Sequence, residues 1–125
     1  MKQKILLIDD DTNVARFVKF RLEKNGYDVR HIDNGIDGLD EIREFKPNML
    51  ILDMMMPGLD GREVAEKINE EDLMDLGHII MLSGKEDSNE VEALFDLGIH
   101  DYLKKPFKID TLLVRIERVL APEPH

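Results

Sequence analysis

Three uninterrupted apolar runs, each closed by a polar residue, constrain this chain more than any other feature. They are Ile5-Leu6-Leu7-Ile8 before Asp9, Met49-Leu50-Ile51-Leu52 before Asp53, and Ile79-Ile80-Met81-Leu82 before Ser83. Four apolar residues in a row lack the alternation of a strand with one wet face. They suit strands buried on both sides, as in a parallel sheet covered by helices. Two weaker runs, Val29 to Ile32 and Tyr102-Leu103, bring the count to five, and Arg30 and His31 mark the first of these as an edge.

Between the runs lie five stretches of helical period. The first begins near Thr12, carries Val14, Phe17, Val18 and Leu22 on one face, and stops at Asn25-Gly26. The second, with Ile36, Leu39 and Ile42, ends before Pro47. The third starts at Asp60, with Glu63 at capping-box distance, and runs through Val64 and Ile68. Asn69 to Gly77 then reads as an acidic linker. The fourth begins near Asp87 or Ser88, shows Val91, Leu94 and Phe95, and stops at Gly98; the last carries Ile109, Leu112, Leu113, Ile116 and Leu120. The expected fold is therefore α/β: a (βα)5, doubly wound, five-stranded parallel sheet. Residues 1–121 form one domain, and 122–125 are a Pro-rich tail or the start of a linker.

Composition removes several function classes. The charge is 17 − 27 = −10, which disfavours nucleic-acid binding through a basic patch. There is no Cys, hence no disulfide, thiolate metal site or cysteine nucleophile. No apolar run approaches the ~18 residues of a membrane span. The run after Met1-Lys2-Gln3-Lys4 meets Asp9-Asp10-Asp11 too soon for a secretion signal, so a cytoplasmic location is expected.

Ligands of open parallel sheets bind outside the carboxyl ends of the strands. There this sequence places Asp9-Asp10-Asp11, Asp53, Ser83-Gly84 and Lys104-Lys105-Pro106. Two carboxylates about 4 Å apart repel by on the order of 4 kcal/mol at an effective dielectric of 20. Either one takes a proton or a cation neutralises the cluster. Lys105 supplies one charge, and an all-oxygen set without Cys or paired His favours Mg2+, with Mn2+ as a substitute, over Zn2+. Such a site suits phosphoryl chemistry.

The segments Ile5 to Asp11, Leu50 to Gly58, Met81 to Gly84 and Asp101 to Phe107 together resemble the receiver domain of two-component response regulators, over about residues 3–121. The resemblance implies a flavodoxin-like receiver fold and a phosphoacceptor at Asp53. It implies metal ligation by Asp9, Asp10, Asp53 and the Met55 main-chain carbonyl. Ser83 and Tyr102 match the switch positions, with Gly84 leaving room for the hydroxyl, and Lys105 matches the phosphoryl-binding lysine. Lys104 is expected to face solvent, and the Lys105-Pro106 bond to be cis. The partners implied are a sensor histidine kinase or histidine phosphotransfer protein, an output domain or protein, and a second copy through the face of the fourth helix, fifth strand and fifth helix. The chain would be a signalling domain that assists its own phosphorylation and dephosphorylation, rather than an enzyme. Met55 and Lys85 flank the route of attacking water, which predicts slow dephosphorylation.

Each feature also has a plainer reading. Asp11 suits the first helix N-terminus and Asn13 the surface. Met54-Met55-Met56 suits a core cap and site mouth. His31, His78, His100 and His125 suit surface or loop positions, and Glu63, Glu66, Glu70 and Glu71 a solvated face. Two other functions compete: a Mg2+-dependent aspartyl-phosphate phosphohydrolase, which leaves Asp53 unexplained, and a non-phosphorylated interaction or cofactor-binding module of the same fold, which lacks a Gly-rich phosphate loop.

Overall fold

Strand and helix alternate five times in the computed structural model, which describes residues 2–74, 77–84 and 86–120. The elements are β1 (Lys4–Ile8), α1 (Thr12–Lys24), β2 (Asp28–Ile32), α2 (Gly35–Phe45), β3 (Met49–Asp53), α3 (Gly61–Glu71), β4 (His78–Ser83), α4 (Ser88–Asp96), β5 (Asp101–Lys104) and α5 (Ile109–Glu117). All strands pair in parallel in the order β2-β1-β3-β4-β5. The strand with Arg30 and His31 is an edge, as its mixed pattern predicts.

The four-residue runs are buried on both faces because alternate residues feed different cores. Ile5, Leu7, Met49, Ile51, Ile80 and Leu82 pack under α1 and α5, against Ala15, Val18, Leu22, Leu112, Leu113 and Ile116. Leu6, Ile8, Leu50, Leu52, Ile79 and Met81 pack under α2, α3 and α4, against Leu39, Ile42, Val64, Ile68 and Leu94. Local chemistry sets the helix starts. Asp11 caps α1 by accepting from the Val14 amide at 3.2 Å, and Asp60 and Glu63 form a complete capping box on α3.

Three apolar residues depart from the buried faces expected of them. Phe17 is 51% exposed, Ile36 66% and Phe95 43%. In α1 the buried stripe runs through Ala15, Val18 and Leu22, leaving Phe17 to one side. In α2 it runs through two glycines. A Cβ on Gly38 would lie 2.5 Å from the Ile8 side chain, so contact with the sheet is made there and Ile36 points away. In α4 Leu94 alone is buried. The acidic linker is also shorter than expected, since α3 continues to Glu71. Ile68 is the last buried residue, but Lys67–Glu70 and Arg43–Glu71 ion pairs line the outer face beyond it. Apolar period ends there before the helix does. Lys85 and the tail 122–125 lie outside the described residues.

Candidate functional site

The chain leaves β1 toward one edge of the sheet and β3 toward the other, so a crevice opens between their carboxyl ends. Ile8 is level with Leu52, which brings Asp9, just past β1, beside Asp53, the last residue of β3. Ligand oxygens of Asp9, Asp10 and Asp53 all lie within 4.8 Å of one another. Asp9 and Asp53 are buried and Asp10 is exposed.

Asp9 is fixed on three sides. Its amide donates to the Ile32 carbonyl at 3.1 Å, its own carbonyl lies 2.8 Å from His31 Nε2, and its Oδ1 accepts from the Asp11 amide at 2.9 Å. Its Oδ2 is buried without a hydrogen bond, 3.6 Å from the Lys105 ammonium. Lys105 Nζ sits closer to Asp53 Oδ1, at 2.9 Å. Burial pushes the Asp53 carboxyl from 3.8 up to about 6, Lys105 opposing and Asp9 and Asp10 adding to the rise. Burial also pulls the Lys105 ammonium down, but the two carboxylates outweigh it and the net shift is upward. One lysine does not neutralise three aspartates. The donors are hard oxygens, and a buried Asp9 oxygen still wants a partner, so the residues fit a hard divalent cation.

The other strand ends close the crevice. The Lys105 amide donates to the Ser83 carbonyl at 2.8 Å, tying β5 to β4, and the Lys105-Pro106 peptide is cis. A Cβ on Gly84 would lie 2.9 Å from the Lys105 carbonyl. The glycine is thus required by the approach of this backbone, a different reason from room for a hydroxyl. Ser83 is buried, and its Oγ donates to Glu86 Oε2, which also accepts from the Tyr102 hydroxyl at 3.1 Å. Lys104 faces solvent. Met55 is 59% exposed while Met56 is buried. A cleft of about 850 Å³ opens over the site, with Asn13, Phe17, Met55 and Phe107 in its wall.

The expected residues Asp9, Asp10, Asp53, Ser83, Gly84 and Lys105 thus meet at one edge, with Tyr102 linked to Ser83 through Glu86. Sequence reasoning missed Glu86, His31 and Gly61. His31 sits one strand over, and only the β1–β2 register brings it to Asp9. Gly61 left a signal in the Asp60 cap beside it. A Cβ there would lie 2.5 Å from the Asp53 carbonyl, so the start of α3 presses directly on the acidic strand end. Of the other histidines, His100 is exposed in a loop as expected, His78 instead opens β4, and His125 lies outside the described residues. His78 and His100 stack with ring centroids 4.2 Å apart, away from the site.

A family model described as the response regulator receiver domain matches residues 5–117. Response regulator ArlR of Staphylococcus aureus is 36% identical over 122 residues, covering 98% of this chain and 54% of that protein. The chain therefore spans about half the length of the curated relatives it matches. Among solved structures, chemotaxis protein CheY4 of Vibrio cholerae superposes with a TM-score of 0.89 at 26% identity, covering 96% of this chain and 100% of that one. The BeF3-activated DrrB receiver domain superposes with a TM-score of 0.84 at 31% identity, covering 95% and 97%.

Proposed function

The chain belongs to the response regulator receiver domain family, and from that premise we propose that Asp53 is the phosphoacceptor of a two-component phosphorelay. One observation carries the assignment to this residue. Asp53 is a buried carboxylate at the crevice, 2.9 Å from an ammonium and beside a second buried carboxylate.

In this reading a phosphohistidine on a kinase or phosphotransfer protein enters the cleft. An Asp53 carboxylate oxygen attacks phosphorus, the P–N bond breaks, and its electron pair returns to the imidazole nitrogen. Lys105 faces the developing negative charge on the phosphoryl oxygens. Asp9, Asp10, Asp53 and the Met55 carbonyl would hold Mg2+, or Mn2+ in its place, and the ion would add positive charge where the phosphoryl group sits. Its fit is supported by the buried Asp9 oxygen without a hydrogen bond. Ser83 would then turn to the acyl phosphate and Tyr102 would follow, re-forming the α4-β5-α5 face that an output domain or a second copy reads. Exposed Phe95 and Val114 on that face support such pairing. Met55 in the cleft wall supports obstruction of attacking water and hence a long-lived phosphoaspartate; the same role for Lys85 rests on its place in the sequence. A cytoplasmic setting follows from the kinase partner.

The two competing functions have less support, since the receiver-domain family model matches residues 5–117 and the acidic cluster of Asp9, Asp10 and Asp53 stands complete beside Lys105. Incubation with Mg2+ and a small phosphodonor should give one acid-labile phosphoryl adduct, absent from Asp53→Ala. An adduct that survives this substitution would remove Asp53 from the role.

A further inference from the structure

Glu86 is half-buried just beyond β4, where a sequence reading gives it no task. One of its oxygens, Oε2, accepts from both switch hydroxyls, Ser83 Oγ and Tyr102 OH. Each hydroxyl carries a single proton and donates one hydrogen bond at a time. The Ser83 proton therefore cannot serve Glu86 and a phosphoryl oxygen on Asp53 together. Glu86 and the acyl phosphate are rivals for it.

We propose that Glu86 is a positioning residue that holds Ser83 and Tyr102 in the unphosphorylated arrangement, so that modification of Asp53 must break its hold on Ser83. The inference rests on Asp53 being the phosphoacceptor. The bond at stake is charge-assisted, O–H to carboxylate, and so stronger than one between neutral groups. The raised Tyr102 hydroxyl agrees, burial contributing most and Glu86 next. Once Ser83 departs, the link from Ser83 through Glu86 to Tyr102 is broken, which leaves the ring freer to turn. Removing the carboxylate should thus favour the adduct and loosen the ring in one step.

The test is a titration of the full chain with beryllium fluoride at saturating Mg2+, with adduct affinity and the Tyr102 ring signal both read by NMR. Glu86→Ala should tighten the adduct about tenfold, as loss of one rival charge-assisted hydrogen bond predicts; Glu86→Gln, which keeps a neutral acceptor, should fall between. In a Ser83→Ala background the Glu86→Ala effect should vanish, which a merely structural contribution would not do. The Tyr102 hydroxyl should also titrate lower in Glu86→Ala. If the natural protein forms an adduct that Asp53→Ala abolishes, yet neither Glu86 variant changes affinity, the Glu86 role is overturned and the phosphoacceptor stands. If the natural protein forms no adduct, or Asp53→Ala forms the same one, both readings fall.

Discussion

The two ends of β4 face opposite edges of one sheet and are built on opposite terms. At the His78 end polar groups are matched. The Ile79 amide donates to His100 Nδ1 at 3.0 Å, the His100 amide donates to the Ile79 carbonyl at 2.9 Å, and the two imidazoles stack. At the Ser83 end a buried Asp9 oxygen lacks a hydrogen bond and the Asp53 carboxyl is pushed up to about 6. A fold with only stability to serve would treat both ends alike. The contrast marks the acidic end as the one whose unmet charge fits a cationic ligand.

The comparison breaks most visibly if Lys105 is removed. Lys105→Met should slow phosphoryl transfer to Asp53 on the order of 100-fold, the cost typical of losing one preorganised charge-stabilising donor. Rapid-quench transfer from a phosphodonor measures it, and an unchanged rate would detach Lys105 from the chemistry. The next effect concerns stability. Saturating Mg2+ should raise the unfolding free energy by about 2.7 kcal/mol at 100 times its Kd. Asp53→Asn should itself stabilise the metal-free protein by about 1–2 kcal/mol, because it deletes a carboxylate that the fold disfavours in its charged form, and should blunt the Mg2+ response. Urea melts with and without Mg2+ decide both.

The smallest effect separates the two ends by sign. Burial, then the neighbouring His100, hold His78 below 6.5, so the unfolded chain binds that proton more readily and stability falls as pH drops below about 6.5. Asp53 acts oppositely. Its raised carboxyl binds a proton more tightly when folded, so acidification from about 6 toward 3.8 relieves the fold. Metal-free Asp53→Asn should therefore lose stability more steeply on mild acidification than the natural protein does, and His78→Gln should lose it less steeply. Melts between pH 7 and 5 would show identical slopes if the two ends were equivalent.

Much of this was legible in the sequence, because the deciding features are local. Four-residue apolar runs announce strands buried on both faces, and the residue closing each run must lie at the ligand-binding edge of a parallel sheet. That places Asp9, Asp53 and Ser83 without any contact being known. Side-chain reach across elements is not local. Glu86 meets Tyr102 across 16 residues and His31 meets Asp9 across 22; nothing in either neighbourhood announces the pairing. Phe17, Ile36 and Phe95 misled for a related reason. Helical period marks an apolar arc, but the part of it that touches the sheet depends on where small residues such as Ala15 and Gly38 let the helix settle.

The alternation of β-strand side chains also works as a counting rule. Residues 5 and 7 of β1, 49 and 51 of β3, 80 and 82 of β4, and 103 of β5 all point to the α1–α5 side. Counting on by twos puts Asp9, Asp53 and Lys105 on that side too. Ser83 falls on the opposite parity, with Ile79 and Met81, and Tyr102 packs there as well. By this rule Asp9, Asp53 and Lys105 start from one face of the sheet and Ser83 and Tyr102 from the other, and Asp53, Ser83 and Lys105 meet in one cleft where the strands end. A single residue added within any run would exchange the two sets at that strand. The lengths of these short apolar runs are therefore part of the site's specification, as much as the residues that end them.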